Sequence, residues 1–370
     1  MKLVFEKSSL LSGINTVMKA VPGKTTLPIL ECILIDAASG EITLTANDME
    51  LAIQTKVKGT ILEPGCIAVE ARFFSEMVRK LPESDIVFSA DENMVVSIVC
   101  DSANFQFPGR SGEEFTGIPH LEKRNYITLS QFSLKEVIKQ TLFSIAQNEN
   151  NRMMTGELFQ VRENELKVTS LDGHRISIRK VQLRDVYEGE KVVIPGKTLG
   201  EIARILPGDN EKDVQVFFQR NHISFEFEDT IVVSRLIDGE YFKVEQMLSG
   251  DYETRIRINK KDLLDCIERS TLLIRENDKK PIILDIRDGQ AQISLNSALG
   301  SMRETLLLQK TGKDIMIGFN PRFLIDALRV IDDEEVAISF VNPKAPCYIR
   351  NDEDTYLYLI LPVNFAGARA

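Results

Sequence analysis

The sequence predicts an α+β fold of three similar domains, each with two helices packed on antiparallel sheets. Three observations predict it: one amphipathic segment recurs at a fixed interval, a second precedes each copy, and short alternating strands follow both. The interval is visible at Phe73, Thr198 and Phe323, which are 125 residues apart. A chain of 370 residues is also too long for one compact core, which favours several domains.

The first helix of each repeat is predicted at residues 9–18, 133–142 and 262–271. In all three segments a leucine is followed four residues later by an isoleucine, a spacing that places both side chains on one helix face. The matched pairs are Leu10 with Ile14, Leu134 with Ile138, and Leu263 with Ile267.

Short apolar-alternating runs follow each helix and are interrupted by turn residues, a pattern typical of antiparallel hairpins. They lie at residues 33–48, 157–172 and 282–297 after the first helices, and at residues 85–99, 213–227 and 335–349 after the second. We therefore expect domains at residues 1–122, 123–247 and 248–370.

The second helix of each repeat is predicted at residues 72–82, 198–207 and 323–331, and each copy keeps an acid three residues before an arginine. Such i,i+3 pairs are ordinary on a solvated helix face, so they are explained equally well by local ion pairing and by a surface that meets a ligand. The pairs are Glu76 with Arg79, Glu201 with Arg204, and Asp326 with Arg329.

Composition narrows the class of protein. The net charge of −10 argues against an open basic face for nucleic acid, although a small basic surface inside an acidic exterior remains compatible with it. No apolar run approaches the roughly 18 residues of a membrane helix. The five cysteines are scattered without metal-ligand spacing, which predicts reduced thiols and a cytoplasmic protein.

Enzyme signatures are missing from the sequence. PGKT occurs at residues 22–25 and 195–198 without the preceding glycine of a phosphate-binding loop, and neither HExxH nor GxSxG occurs. His174, which follows an Asp-Gly turn, is the one histidine that could serve a site. We predict no metal, no cofactor and no catalytic residue. Two readings stay open at this point: a repeat scaffold that binds proteins and no nucleic acid, and a hydrolase-type enzyme centred on His174.

Four motifs together resemble a known family. They are LPIL at 27–30, LDGHRIS at 171–177, LIDGEYF at 236–242 and LILPVNF at 359–365. With the threefold repeat they are similar to the bacterial sliding clamp, the β subunit of the replicative DNA polymerase, over the whole chain except residues 366–370.

The resemblance implies a ring of two chains joined head to tail, with six similar domains and helices lining the hole. Such a ring encircles duplex DNA, slides without sequence specificity and makes the polymerase processive. Its expected partners are double-stranded DNA, a second copy of the chain, the polymerase III α-type subunit, the clamp loader and other proteins with a clamp-binding motif. A ring also accommodates the acidic composition, because only its inner surface must attract phosphates.

By the same resemblance, DNA contacts are expected from a small set of residues. LPIL is read as a strand that follows the loop carrying Lys24. The stretch 148–153 departs from the family pattern. The full expected set is Lys24, Arg72, Asn148, Arg152, Met153 and Lys197.

The family also carries an apolar pocket that receives a short linear motif, usually with a glutamine and a C-terminal leucine or phenylalanine. Leu171, Phe242 and Gln246 stand where the family commonly has threonine, proline and arginine, so we expect a shifted motif preference. The expected lining is Met154, Leu171, Gly173, His174, Arg175, Ile176, Phe242, Gln246, Met247, Leu359, Leu361, Pro362 and Val363.

Overall fold

A computed structural model describes residues 1–119, 123–148, 151–248, 250–275, 278 and 280–365 of the chain. Its α-helices form three pairs at the positions predicted from the repeat. In the described part of the chain they are α1 (Lys7–Val17), α2 (Ala71–Lys80), α3 (Gln131–Lys139), α4 (Gly196–Ile205), α5 (Lys260–Thr271) and α6 (Pro321–Arg329). No helix among these residues is long and apolar enough to cross a membrane.

Side chains just before the helices explain where several of them begin. The Glu70 carboxylate accepts hydrogen bonds from the backbone N–H groups of Arg72 and Phe73 at the start of α2 (3.1 and 2.7 Å). Asn259 caps α5 and Asn320 caps α6 in the same way. A capping acceptor satisfies amide groups that the first helical turn leaves without a partner.

In the described part of the chain the strand pairs are antiparallel, as the hairpin pattern predicts. The strands are β1 (Lys2–Glu6), β2 (Cys32–Asp36), β3 (Thr43–Asn47), β4 (Leu51–Lys56), β5 (Thr60–Glu63), β6 (Cys66–Glu70), β7 (Asp85–Ala90), β8 (Val95–Cys100), β9 (Ala103–Pro108), β10 (Arg110–Ser111), β11 (Tyr126–Ser130), β12 (Gly156–Leu171), β13 (Arg175–Pro195), β14 (Asp213–Phe218), β15 (His222–Phe227), β16 (Thr230–Arg235), β17 (Thr254–Asn259), β18 (Ile282–Arg287), β19 (Gln290–Ser297), β20 (Gly300–Leu307), β21 (Gln309–Gly312), β22 (Ile315–Phe319), β23 (Glu335–Phe340), β24 (Cys347–Arg350) and β25 (Tyr356–Ile360).

The chain packs as two compact units, one of residues 1–134 with 201–236 and the other of residues 135–200 with 237–370. The first unit holds a sheet of order β5-β1-β7-β8-β9 and a nine-stranded sheet of order β10-β6-β2-β3-β4-β16-β15-β14-β11. The second holds a sheet of order β12-β13-β25-β24-β23-β17-β21 and a four-stranded sheet of order β20-β19-β18-β22. The predicted three-domain limits stay a prediction.

Each unit contains one junction at which strands of successive repeats pair. In the first unit β4 pairs with β16, and Ala52 lies opposite Val233. In the second unit the start of β13 pairs with β25, and Ile176 lies opposite Leu359. We call these the first seam and the second seam. They are equivalent by the repeat, because β4 and the start of β13 each follow the segment predicted as the first hairpin of their repeat, whereas β16 and β25 are the last strands of theirs.

The helices bury the faces predicted from the leucine and isoleucine spacing. Leu10 and Ile14 of α1 are fully buried, as are Leu134 and Ile138 of α3. Their α5 counterpart Ile267 joins a core with strands β18 and β19 and helix α6. Burying an aliphatic side chain of this size contributes about 1.5–3 kcal/mol, so these positions anchor each repeat.

Two sequence expectations are corrected. LPIL at 27–30 is not a strand, because residues Pro28–Glu31 form a short 3-10 helix and strand β2 begins at Cys32. Pro28 has a fixed φ and no N–H, which suits the first position of a helical turn. The hairpin expected at 157–172 is also wrong, because Gly156–Leu171 form one strand, β12, which pairs with β13.

One buried acid is unexpected. Glu157 of β12 is fully buried, and neither carboxyl oxygen has a hydrogen-bond partner in the described part of the chain. Burial therefore raises the pKa of Glu157 well above its usual value. The Thr141 hydroxyl opposes this rise in pKa, but it donates its proton to the Val137 carbonyl (2.7 Å). We infer that the carboxyl stays protonated in the folded chain at pH values where the unfolded chain has lost the proton.

This predicts that Glu157→Gln stabilises the chain progressively as pH rises. Below the unfolded pKa of about 4.3 both states hold the proton, so the variant gains no stability from this effect. Above that pH only the unfolded state ionises, so the free energy of unfolding of the wild type falls by about 1.4 kcal/mol per pH unit until the folded pKa is passed. Urea unfolding between acidic and alkaline pH measures the difference. Exposed Glu163 on the same strand supplies the control, Glu163→Gln, for which no such trend is expected. A pH-independent gap between Glu157→Gln and wild type would contradict the prediction.

Candidate partner-peptide pocket and DNA-contact residues

The Asp-Gly turn before β13 is held by its own aspartate. The Asp172 Oδ1 atom accepts hydrogen bonds from the N–H groups of His174 (3.0 Å) and Arg175 (3.1 Å). Gly173 adopts φ +86°, a conformation that favours glycine. The turn therefore presents His174 and Arg175 in a fixed direction at the second seam.

Arg175 is clamped by groups from three segments of the second unit. Its Nε atom donates to Asp172 (3.0 Å) and its Nη1 atom donates to Asp326 of α6 (2.6 Å). The guanidinium also lies over the rings of Phe323 (4.6 Å) and Phe143 (5.2 Å). A largely buried guanidinium with two carboxylates and two aromatic faces is rigid, so Arg175 supports the turn.

The segment after β25 completes the same surface. The Leu361 N–H donates to the His174 carbonyl (2.9 Å), and the Val363 N–H donates to the Gly318 carbonyl (2.8 Å). These bonds carry the chain past the end of the sheet and leave the Leu361 and Val363 side chains about one-third exposed. The His174 ring stacks on Phe323 of α6 at 5.9 Å, beside this segment.

Five other predicted lining residues belong to one apolar cluster. Leu171, Ile176 and Leu359 are buried in it, and the half-buried Met154 and Phe242 pack against it. Met247 is half exposed, and its carbonyl lies 3.5 Å from the Tyr348 hydroxyl that donates to it. Gly173, Gln246 and Pro362 lie at the accessible edge. The structure thus offers a soft apolar surface with a polar rim.

Sequence reasoning missed the support of this pocket. Phe143, Phe323 and Asp326 come from other repeats or helices, and only the folded chain brings them to Arg175. Among the described residues no group of three His, Cys, Asp or Glu side chains could hold a metal ion. His174 contacts an aromatic ring and a turn rather than a nucleophile, which offers the hydrolase-type alternative no support.

The first two expected DNA-contact residues lie close together. Arg72, the second residue of α2, donates from Nη2 to the Gly23 carbonyl (3.2 Å), directly beside Lys24 in the sequence. Both Lys24 and Arg72 are exposed. The loop and the helix start therefore present two cations on one surface of the first unit.

The second position of the second helix is basic in every repeat. Arg72 in α2, Lys197 in α4 and Arg322 in α6 are 125 residues apart and all are exposed. Arg322 was missed from the sequence, although the same interval would have found it. The repeat therefore supplies three equivalent cations, one near the start of each second helix.

Asn148, Arg152 and Met153 lie on one connector of the second unit. Asn148 and Arg152 are exposed, and Met153 is half buried in a short 3-10 helix spanning Arg152–Thr155. The Asn151 side chain caps this helix by accepting from the Met153 N–H (3.1 Å). The thioether of Met153 lies near Gly239, at 3.3 Å from where a Cβ would stand.

The acid–arginine pairs of the middle and third repeats differ from each other. Arg204 pairs locally with Glu201 (2.6 Å), as expected of a solvated helix face. Arg329 pairs with Glu268 of α5 instead (2.8 Å), which leaves Asp326 to bind Arg175. Local pairing is therefore correct for the middle repeat and wrong for the third.

We predict that Lys24→Ala weakens DNA contact without affecting peptide binding. Removing one phosphate contact lowers the slope of log K against log salt by about 0.9 on duplex DNA. A salt titration with a nicked plasmid measures that slope, and exposed Lys58 gives a matched control, Lys58→Ala. An unaltered slope for Lys24→Ala would remove Lys24 from the contact set.

Comparison with known proteins agrees along the whole chain. Family profiles described as the N-terminal, central and C-terminal domains of the DNA polymerase III beta subunit match residues 1–119, 128–243 and 245–364. The beta sliding clamp of Staphylococcus aureus strain Mu50 is 32% identical over 374 residues, which cover 98% of this chain and 99% of that protein. That of Bacillus subtilis strain 168 is 33% identical over 377 residues, with the same coverage.

Solved structures give the same result. The crystal structure of a putative DNA polymerase III beta subunit from Eubacterium rectale matches with a TM-score of 0.96 and 59% identity, covering 99% of this chain and 100% of that one. The sliding clamp from Bacillus subtilis matches with a TM-score of 0.96 and 32% identity, also covering 99% and 100%. The repeat, the seams and these similarities lead to one conclusion: this chain belongs to the DNA polymerase III beta subunit family, the bacterial beta sliding clamps.

Proposed function

We propose that this chain is a DNA polymerase processivity factor that works as a closed ring of two copies around duplex DNA. The observation that carries the proposal is a pair of edge strands whose counterparts in the other repeats pair with each other at the seams. β9 ends the five-stranded sheet and β20 ends the four-stranded sheet. By the repeat, β9 corresponds to β16 and β25, and β20 corresponds to β4 and to the start of β13. These counterparts are the strands that pair at the two seams.

Both edges expose apolar side chains, as unpaired interface surfaces do. β9 exposes Phe105, and Leu307 at the end of β20 and Leu272 after α5 are among the most exposed apolar side chains. Long apolar edge strands are normally paired or covered. Pairing β9 of one copy with β20 of another produces a nine-stranded sheet of five plus four strands, the same size as the sheet across the first seam.

A ring needs only weak attraction for DNA. Its exposed Lys24, Arg72, Lys197 and Arg322 supply cations for phosphates, whereas the acidic remainder of the chain disfavours binding from outside. Contacts limited to phosphates permit sliding, because they carry no sequence information. Processivity then follows from encirclement.

The second-seam pocket is the proposed docking site for polymerase and for other proteins with a clamp-binding motif. Its methionine, leucine and phenylalanine side chains adapt to related peptides, and one or two buried anchors supply most of the binding energy. In this account the chain is a non-catalytic cytoplasmic subunit. A scaffold that never meets DNA would share the pocket but would not need two complementary sheet edges.

Sedimentation equilibrium tests the ring directly. We expect a mass of twice the 41.8 kDa chain at micromolar concentration. A monomer at that concentration, or a series of growing oligomers, would contradict closure by two copies, since an open head-to-tail contact continues as a filament.

A further inference from the structure

The turn before β4 repeats the backbone frame of the partner-peptide pocket at the other seam. The Asp48 Oδ1 atom accepts hydrogen bonds from the N–H groups of Glu50 (3.0 Å) and Leu51 (2.7 Å). This is the arrangement that Asp172 makes with His174 and Arg175 (3.0 and 3.1 Å).

The neighbouring strand end matches as well. The Arg235 N–H donates to the Glu50 carbonyl (2.9 Å), as the Leu361 N–H donates to the His174 carbonyl (2.9 Å). Met49 therefore occupies the place of Gly173, and Arg235 occupies the place of Leu361. The first seam thus carries the pocket's frame with different side chains.

A groove lies at this frame, within the first unit. Its lining includes Met49, Ala52, Pro119, His222, Val233 and Arg235, and we call it the first-seam groove. Ala52 and Val233 are buried, whereas Met49 is half exposed. The Asn47 side chain donates to the Thr116 carbonyl (3.2 Å), which holds the connecting segment at the groove's edge.

Met49 adopts an unfavourable conformation with an accessible side chain. Its φ of +74° lies in the left-handed region, where its counterpart Gly173 sits at +86° without steric cost. The Met49 side chain is 49% exposed, so core packing does not offset the strain. Strain retained without a packing benefit is typical of binding sites.

The groove's charge indicates what it binds. Arg235 is exposed, and its guanidinium has no acidic partner among the residues that the structure describes. Burial, with Arg235 adding to it, lowers the pKa of His222, so the imidazole is neutral at pH 7. Glu50 lies in the same lining and repels an acid placed beside it. A ligand carboxylate is therefore favoured on the Arg235 side.

We propose that the first-seam groove is a second peptide site on each chain, which takes a short extended peptide carrying an apolar side chain next to a carboxylate. The carboxylate pairs with the Arg235 guanidinium, whose planar fork matches carboxylate geometry. The apolar side chain packs on Met49 above Ala52 and Val233, since an unbranched thioether adapts to irregular surfaces. The site goes beyond the second-seam pocket and selects a different, acidic motif.

The test uses the full-length chain with Leu361→Asp, which disables the second-seam pocket and keeps the two sites distinguishable. The probe is fluorescein-labelled Gly-Ser-Leu-Leu-Asp-Glu with a free C-terminus, compared with the amidated Leu-Leu-Asn-Gln version by fluorescence anisotropy. We expect a Kd below about 1 mM for the acidic probe and affinity about tenfold weaker for the uncharged one.

Three variants in that background complete the test. Arg235→Gln should weaken the acidic probe about fivefold, whereas Arg235→Lys should restore part of the loss, because it keeps the charge without the fork. Met49→Gly should lower affinity while leaving or raising the melting temperature, since glycine relieves the backbone strain. Equal binding of both probes, no binding up to about 1 mM, or an unchanged affinity in Arg235→Gln would each overturn the proposal.

Discussion

Replacing Leu361 by aspartate and Pro362 by alanine should abolish capture of a polymerase-type peptide while the chain stays folded and keeps its oligomeric state. Leu361 is exposed enough to be contacted, and its N–H bond to the His174 carbonyl survives replacement of the side chain. Loss of a buried apolar anchor costs about 2–4 kcal/mol, which corresponds to roughly 30- to 1,000-fold in affinity. Anisotropy with a labelled peptide containing a glutamine and a C-terminal Leu-Phe measures the change.

Leu62 provides the control for this experiment. It is 54% exposed on β5 in the first unit, so Leu62→Asp introduces the same charge without touching the pocket. We expect wild-type peptide affinity for that variant. Wild-type affinity in the Leu361 and Pro362 variant would show that the peptide binds elsewhere.

Phe105→Asp should convert the proposed dimer into monomers. Phe105 is 41% exposed on the edge strand β9, beside Phe107, which packs edge-to-face on Phe73 (5.3 Å between ring centres). A carboxylate buried at a sheet-to-sheet junction without a partner costs several kcal/mol, more than a marginal interface tolerates. Sedimentation equilibrium should therefore show the mass of one chain at concentrations where wild type gives two.

Val186→Asp is the matched control, because Val186 is 75% exposed on β13 and lies on neither of the proposed edges. It should remain dimeric. If Phe105→Asp sediments as wild type, β9 is not the contact strand and the ring must close in another way.

Much of the fold was predictable from local pattern. Leu10, Ile14 and their counterparts mark the buried helix faces, because a 3.6-residue period survives whatever the tertiary context. LPIL failed as a strand since Pro28 begins a 3-10 turn, a local effect that apolar character alone does not reveal. Strand pairing between repeats, such as Ile176 with Leu359, requires the closed sheet.

The candidate site divides in the same way. The Asp172 turn and the apolar residues after β25 can be predicted from the sequence, because both depend only on neighbouring residues. The clamp on Arg175 is not, because Asp326 is 151 residues away and could equally have paired with Arg329. Arg322 shows a third case, in which the repeat interval carried information that composition did not.

Glu157 illustrates the limit of pattern reasoning. In a strand that alternates apolar and polar residues, a glutamate next to Leu158 is predicted to face solvent. The folded chain instead buries Glu157 completely. Burial on both faces follows from the packing of β12 within the unit, which no alternation of residue types predicts. Packing in the rest of the core offsets the free-energy cost of burying this carboxyl group.

Retention on circular DNA tests the central claim most directly. Wild-type protein loaded on a nicked plasmid by a bacterial clamp loader should stay bound through gel filtration at about 0.5 M salt, where contacts to phosphates alone are largely screened. Cutting the plasmid once should release it, because a ring slides off a free end. Equal retention on circular and linear DNA would contradict the account, since it would mean that the protein holds DNA by grip and not by enclosure.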